Sequence, residues 1–279
     1  MLLSQSCSIT ARENIQVLKI DNPVASAEIS LFGGHILSFT PKHDGRERLW
    51  VSNNAIFDGN KAIRGGVPIC WPWFGDHASD KSVASHGYVR TQLWTVVSSE
   101  NTEQGTQIVI VPTTCQGLGF NGKAALSLEI TIGKQLNIKL ITTNQGDQAF
   151  NYTCALHTYF AVTDINQSQI EGLSGEYKDK TRSFDTFNTV NPYRFTEETD
   201  RVHLHQPDKL NILDAHNPIE ILSSGHDSIV VWNPWQDKSI SMGDMANDSY
   251  LTMLCVETAI TQGQIIKAGE THVLEQVIG

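Results

Sequence analysis

Short β-like segments recur at roughly ten-residue intervals along this chain, and no other feature constrains its fold as strongly. They are separated by Gly, Asn, Asp, Ser and Pro, the residues that favour turns. In residues 126–132, LSLEITI, apolar and polar side chains alternate strictly, which is typical of an antiparallel strand with one buried face. Further segments of this kind are IQVLKI from Ile15, AEISL from Ala27, TQIVIV from Thr106, LNIKLIT from Leu136 and SIVVW from Ser228.

Helical periodicity is nearly absent, which argues against α/β folds, because their strands alternate with helices. The segments therefore predict an all-β fold built as a large antiparallel β-sandwich. No internal repeat of the fixed period that a propeller or solenoid needs is visible. The 279 residues contain no low-complexity linker. We expect one domain over residues 1–279, since large all-β domains often use about 200–250 residues.

Charge and hydropathy narrow the range of partners. Twenty Lys and Arg against thirty Asp and Glu give a net charge of −10 and leave no basic stripe that could neutralise a phosphate backbone. Nucleic acid is therefore not an expected partner. No segment approaches the roughly 18 consecutive apolar residues of a membrane-spanning helix, so no membrane association is expected either.

The expected compartment is the cytoplasm. The first residues, MLLSQSCSITARENIQ, lack a basic segment followed by an apolar stretch of about 7–15 residues, the pattern of an export signal. The five cysteines are scattered and form no C-x-x-C pair, so neither a disulfide framework nor a zinc ribbon is indicated.

Two motifs match known binding patterns but lack the structural context that those patterns require. Residues 117–122 read G-x-G-x-x-G, but a strand-like segment follows where a dinucleotide site needs a helix, so we interpret them as a hairpin loop. His203 and His205 form an H-x-H pair that could bind a metal. A third converging ligand cannot be identified, so we favour two surface histidines on a strand.

Residues 58–90 are irregular and rich in Gly, Pro and Trp, and long structured loops on a β scaffold tend to carry function. Arg64 precedes two glycines, and Arg90 ends the segment SHGYVR. A structured turn region would explain the glycines and aromatics. Arginines beside glycines also indicate a pocket in which guanidinium groups bind an anion, and the sequence alone leaves both interpretations open.

Two strand segments carry an unexpected polar residue. His157 interrupts the run FNYTCALHTYF, and Glu257 ends the apolar segment YLTMLCVE. Each residue taken alone is explained by a hydrogen-bonded core group or a strand end. A His and a Glu buried in a sheet are costly unless they are partnered, so a cavity shared by both is the alternative.

Taken together, these segments resemble the hexose-6-phosphate mutarotases, or glucose-6-phosphate 1-epimerases, of the aldose-1-epimerase superfamily. The resemblance implies the galactose mutarotase-like supersandwich, an antiparallel β-sandwich. It spans almost the whole chain, and its combination of motifs is specific. The segments that carry it are LFGGHILSF (31–39), LWVSNNAIFDGNKAIRGGVPICWPWFG (49–75), SHGYVR (85–90), LHTYFAV (156–162), ETDRVH (198–203), VVWNPWQDKS (230–239) and CVETA (255–259).

The resemblance implies an isomerase that interconverts the α and β anomers of an aldose 6-phosphate, with glucose 6-phosphate as the expected substrate. It implies neither a metal nor an organic cofactor. His157 and Glu257 match the family's general acid and base. The residues that match its substrate-binding positions are Arg64 and Arg90 for the phosphate, Asp200 for sugar hydroxyls, and His86 beside the ligand.

Two alternatives remain at this point. A mutarotase for unphosphorylated aldoses would not need Arg64 and Arg90. A non-catalytic protein that binds a sugar phosphate for regulation would not need both His157 and Glu257. A glycosidase is a weaker possibility, because its two carboxylates would have to be Glu257 and Asp200. The expected partner is a small-molecule sugar phosphate, and we expect the chain to act as a monomer.

Overall fold

The computed structural model describes residues 2–216 and 218–279, most of which lie in strands or their connections. The strands, in chain order, are β1 (Cys7–Arg12), β2 (Ile15–Asp21), β3 (Ala25–Ser30), β4 (His35–Pro41), β5 (Ile69–Cys70), β6 (Trp94–Thr102), β7 (Gly105–Pro112), β8 (Ala124–Ile132), β9 (Leu136–Asn144), β10 (Phe150–Leu156), β11 (Tyr159–Ala161), β12 (Gln169–Glu171), β13 (Glu176–Asp179), β14 (Asp185–Asn188), β15 (Tyr193–Arg194), β16 (Thr199–His203), β17 (Lys209–Leu213), β18 (Ile219–Ser224), β19 (Ser228–Asn233), β20 (Met253–Ile266) and β21 (Thr271–Ile278).

These strands form three sheets. The first has four strands in the order β1-β2-β3-β4, and the second has nine in the order β15-β12-β17-β18-β21-β9-β8-β7-β6. The third has eight strands, in the order β14-β13-β16-β19-β20-β10-β5, with β11 also paired to β20. The pairs of neighbouring strands in the described chain are antiparallel. The predicted all-β antiparallel architecture is confirmed.

The main hydrophobic core lies between the sheets and takes side chains from all three. Strand β8 shows how the sequence produces this core: Leu126, Leu128, Ile130 and Ile132 are buried, with at most 3% of each residue exposed. The intervening residues face away, which confirms the predicted alternation. Residues 117–122 connect the paired strands β7 and β8, so their interpretation as a hairpin loop is also confirmed.

Helices are few, as the sequence predicts. The described residues contain one α-helix, α1 (Trp235–Ser241), and three 3₁₀ helices, Val89–Thr91, Lys180–Arg182 and Ser249–Leu251. None of the helices in residues 2–216 and 218–279 has the length and apolar character needed to cross a membrane.

The irregular region before residue 90 runs along β10 and β11. The backbone N–H of Thr153 donates to the carbonyl of Pro72 (3.1 Å), and that of His157 donates to Pro68 (3.1 Å). Earlier in the chain, the backbone N–H of Trp50 donates to the carbonyl of Tyr159 (2.9 Å). The loop is therefore fixed beside the strand segment that carries His157.

The prediction of two surface histidines is wrong for His203. His205 is exposed, but His203 is fully buried, and its Nε2 lies 3.1 Å from the Tyr193 hydroxyl. The reason is topological, because β16 is an interior strand that pairs with β13 on one side and β19 on the other.

Candidate active site

Glu257 lies on β20, whose alternate side chains point to opposite faces of the eight-stranded sheet. Leu254 and Val256 enter the main core. Cys255 and Glu257 face the other way, and Cys255 stands opposite Trp232 of β19. Glu257 is the fifth residue of a strand that continues to Ile266, so the expectation that it ends its strand is wrong.

His157 lies in a short break between β10 and β11. The register with β20 is the same on both sides of the break, with Leu156 opposite Thr258 and Tyr159 opposite Cys255. Counting across the break places His157 directly opposite Glu257, and side chains in such positions approach each other closely. His157 Nδ1 lies 3.3 Å from Glu257 Oε1. The two residues matched to the acid and base, one hundred positions apart in sequence, therefore meet.

Burial controls the electrostatics of this pair. The His157 side chain is 12% exposed and that of Glu257 is 1% exposed. Burial raises the pKa of Glu257 well above its usual value, against the lowering effect of the Lys180 charge. Burial likewise lowers the pKa of His157, and the nearby positive charge of Arg90 acts in the same direction. Burial therefore favours the uncharged form of each of the two groups.

Two atoms of this pair have no hydrogen-bond partner within residues 2–216 and 218–279. They are His157 Nδ1, which is close to Glu257 without hydrogen-bond geometry, and Glu257 Oε2. Buried polar atoms are nearly always paired, and exceptions occur where a ligand is bound or chemistry takes place. The unpaired atoms therefore make this place a candidate functional site.

His86 reaches the site from the loop, and its backbone has a positive φ of 66°. Its Nδ1 accepts a hydrogen bond from the backbone N–H of Gly75 (3.2 Å), which leaves the ring proton on Nε2. Burial, helped by the charge of Arg90, lowers the pKa of His86 to about 3. Since its ring centroid is 5.7 Å from that of His157, His86 is a neutral N–H donor beside the acid–base pair.

Arg64 is connected to His157 through an aromatic ring. Its Nη1 donates to the Tyr159 hydroxyl (3.0 Å), and its Nε donates to Asp244 Oδ2 (3.1 Å). The Tyr159 ring stacks on the His157 imidazole, with centroids 4.9 Å apart and planes at 9°. Arg64 is thus held in one orientation next to the catalytic candidates.

Arg90 and Asp200 lie around the same pair. Arg90 Nη2 donates to the backbone carbonyl of Ser85 (2.9 Å), and its positive charge lowers the pKa of both His157 and Glu257. Asp200 stands opposite Trp232 in the sheet. Lys180 Nζ lies 3.0 Å from Asp200 Oδ1, and burial nevertheless raises the pKa of that carboxyl group.

Sequence reasoning missed four residues of this site: Tyr159, Lys180, Trp232 and Asp244. Tyr159 could have been found, because it is two residues beyond His157 and side chains at this spacing share a face of a strand. The other three come from segments distant in sequence, and no local pattern distinguishes them.

The same place also offers metal-binding groups. Three possible ligand atoms, one each from His157, Cys255 and Glu257, lie within 4.8 Å of one another. No other group of this kind occurs in residues 2–216 and 218–279.

Comparison with known proteins gives the family. The model of a family described as aldose 1-epimerase matches residues 16–279. The chain belongs to the aldose 1-epimerase family. It is therefore an isomerase, as the motifs predict.

Proteins from Escherichia coli, Cenchrus ciliaris and Salmonella typhimurium resemble this chain over most of their length. A "putative glucose-6-phosphate 1-epimerase" from Escherichia coli K12 is 33% identical over 273 residues, which cover 95% of this chain and 90% of that protein. A protein of the same name from Cenchrus ciliaris is 33% identical over 261 residues, covering 88% and 78%. The crystal structure of a "putative mutarotase (YeaD)" from Salmonella typhimurium has a TM-score of 0.92 and 31% identity, covering 99% and 94% of the two chains.

Proposed function

We propose that this aldose 1-epimerase family member interconverts the α and β anomers of an aldose 6-phosphate, with glucose 6-phosphate as the substrate. One observation carries the proposal: His157 Nδ1 and Glu257 Oε1 are 3.3 Å apart in a buried site that also holds oriented arginines. The names of the relatives from Escherichia coli and Cenchrus ciliaris support the same substrate.

The chemistry requires one proton to leave the anomeric hydroxyl and one to reach the ring oxygen. In the reactive form, Glu257 as carboxylate accepts the first proton and His157 as imidazolium donates the second, which opens the ring. This form has the same number of protons as the uncharged pair that burial favours. After rotation about the C1–C2 bond the two groups act in reverse, and the ring closes on its other face.

The charges of the site favour a phosphorylated sugar over a free one. Arg64 and Arg90 are the proposed phosphate ligands, and Lys180 adds a third cation whose charge acts on Glu257. Guanidinium groups bind phosphate with two parallel hydrogen bonds, and a free aldose has no group that needs them. Asp200, oriented by Lys180, is the proposed ligand of sugar hydroxyls. A non-catalytic binding protein would not need the costly buried pair of His157 and Glu257.

The test is a measurement of anomer interconversion by NMR exchange spectroscopy on glucose 6-phosphate and free glucose. The wild-type protein should accelerate interconversion of the phosphorylated sugar above its spontaneous rate, and free glucose much less. Glu257→Gln and His157→Asn should each lower kcat by about 10²–10⁴-fold while binding persists. Glu275→Gln, a change outside the site, is the matched control. Full activity in Glu257→Gln or His157→Asn would refute the assignment.

We further propose that this reaction takes place in the cytoplasm and that the chain works as a monomer. All five cysteines lie in the described part of the chain and are free thiols, which supports a reducing compartment. Sedimentation of the purified protein tests the monomer.

A further inference from the structure

Cys255 occupies a position in the site that the proposed reaction does not use. Its side chain is fully buried on the same face of β20 as Glu257, two residues away. Burial raises the pKa of its thiol well above the usual value, so it is not an activated nucleophile. A thiol next to an imidazole and a carboxyl group is, however, a set of ligands that zinc and cadmium prefer.

We propose that His157, Cys255 and Glu257 form a binding site for a thiophilic divalent cation, Zn²⁺ or Cd²⁺, which inhibits the enzyme by occupying its acid–base pair. The cation is an inhibitor and takes no part in the reaction. The inhibitory consequence rests on the proposed function, whereas the binding itself does not.

The distances match a tetrahedral metal site. Two nitrogen or oxygen ligands of a tetrahedral zinc stand about 3.3 Å apart, and a sulfur and a nitrogen about 3.6 Å. His157 Nδ1 and Glu257 Oε1 are 3.3 Å apart. The ligand atoms of all three residues lie within 4.8 Å of one another, so Cys255 Sγ needs to move by at most about 1 Å. The partly exposed side chain of His157 gives the cation access.

Charge balance makes the site compatible with its cationic surroundings. The bound state contains a dication, a thiolate, a carboxylate and a neutral imidazole, so its formal net charge is zero. The nearby charges of Arg64, Arg90 and Lys180 therefore do not oppose it.

The test uses the full-length protein and Cd²⁺, because cadmium–thiolate bonds absorb in the ultraviolet. The wild-type protein should show this band with a stoichiometry of one Cd²⁺ per chain. Activity should disappear with the same midpoint, return on addition of EDTA, and be unaffected by Mg²⁺. Glucose 6-phosphate should compete with Cd²⁺.

Cys255→Ser should keep activity and weaken binding at least about 100-fold, since changing even a partner of a metal ligand costs about 10–100-fold. Cys70→Ser, a change at another buried thiol, is the matched control and should behave as wild type. Glu257→Gln, which keeps the thiol, should also lose tight binding, so the result does not depend on folding of one variant.

Absence of the band in the wild-type protein, or an unchanged band in Cys255→Ser, would overturn the inference. A protein that binds Cd²⁺ through Cys255 but does not interconvert anomers would refute the proposed function and leave the metal site intact. An active enzyme that is insensitive to Cd²⁺ would refute only the metal site.

Discussion

Gln276 connects the two strand segments that carry the proposed acid–base pair, and its replacement gives the sharpest test of how the fold positions that pair. This residue of β21 is fully buried in the core behind the site. Its Oε1 accepts from the Thr158 hydroxyl (2.5 Å), and its Nε2 donates to Thr258 Oγ1 (2.8 Å). Thr158 follows His157 and Thr258 follows Glu257, so one amide group connects the backbone segments beside both catalytic candidates.

Gln276→Leu keeps the approximate size of the side chain and removes three hydrogen bonds, because Nε2 also donates to the carbonyl of Val256 (3.3 Å). Thr258 keeps a partner, because its hydroxyl lies 2.8 Å from that of Ser223. The Thr158 hydroxyl keeps only a contact of 3.5 Å with the carbonyl of Leu156. A buried polar group without a good partner costs about 1–3 kcal/mol, which is the expected loss in the free energy of unfolding. Since a misplacement of about 1 Å can cost about 100-fold in rate, kcat should fall by up to that factor.

The assay is NMR exchange spectroscopy of glucose 6-phosphate, with urea unfolding to measure stability. KM should change little, because Arg64 and Arg90, the proposed phosphate ligands, lie in other segments of the chain than those that Gln276 connects. The double variant Thr158→Val/Gln276→Leu should recover stability, since replacing both hydrogen-bond partners by apolar groups is nearly neutral. Its kcat should stay low if the amide positions the pair. Recovery of both stability and kcat in the double variant would show that Gln276 acts only through packing. A wild-type kcat in Gln276→Leu would refute the reasoning.

Three further predictions concern charge. Arg64→Ala should raise KM for glucose 6-phosphate about 10- to 150-fold, the equivalent of about 1.5–3 kcal/mol for a charged hydrogen bond. It should leave KM for glucose almost unchanged. Arg12→Ala is the control, and equal effects of Arg64→Ala on both sugars would contradict phosphate binding. Tyr159→Phe keeps the ring on His157 and removes the acceptor of Arg64 Nη1, so steady-state kinetics should show a smaller rise in KM for the phosphorylated sugar only. Burial lowers the pKa of His203 to about 3, so its contribution to stability is present above about pH 6.5 and is lost as the pH falls towards 3. Urea unfolding should therefore show that the free energy of unfolding of His203→Gln falls by about 2 kcal/mol less than that of the wild-type protein when the pH is lowered from 7 to 5. Equal losses would show that His203 does not titrate in this way.

Local patterns predicted the strands well because a strand with one buried face shows an alternation of apolar and polar residues in its own sequence. The alternation in residues 126–132 needs no knowledge of the partner strands, and the structure places it as expected. His203 shows the limit of this reasoning. Whether a polar residue on a strand is exposed depends on which strands flank it and what covers its face, and that information lies elsewhere in the chain.

The site was accessible from sequence only through the family resemblance. Neither His157 nor Glu257 carries a local signal of its partner, because the contact depends on the pairing of two strands one hundred positions apart. Lys180 and Asp244 were missed for the same reason, since each reaches the site through a single ion pair from a distant segment.

Strand register explains why such a site can be both buried and well defined. A shift of two residues between β10–β11 and β20 would place Cys255 or Ala259 opposite His157, and a shift of one residue would turn Glu257 towards the core. The correct register places the imidazole 3.3 Å from the carboxyl group, close enough for the two groups to share one mobile proton. Anomerisation removes one proton from the sugar and returns one in each direction, so the pair ends every cycle with the proton it had at the start. A buried site can therefore catalyse both directions without exchanging protons with water, and it never has to hold a net charge in the low-dielectric interior.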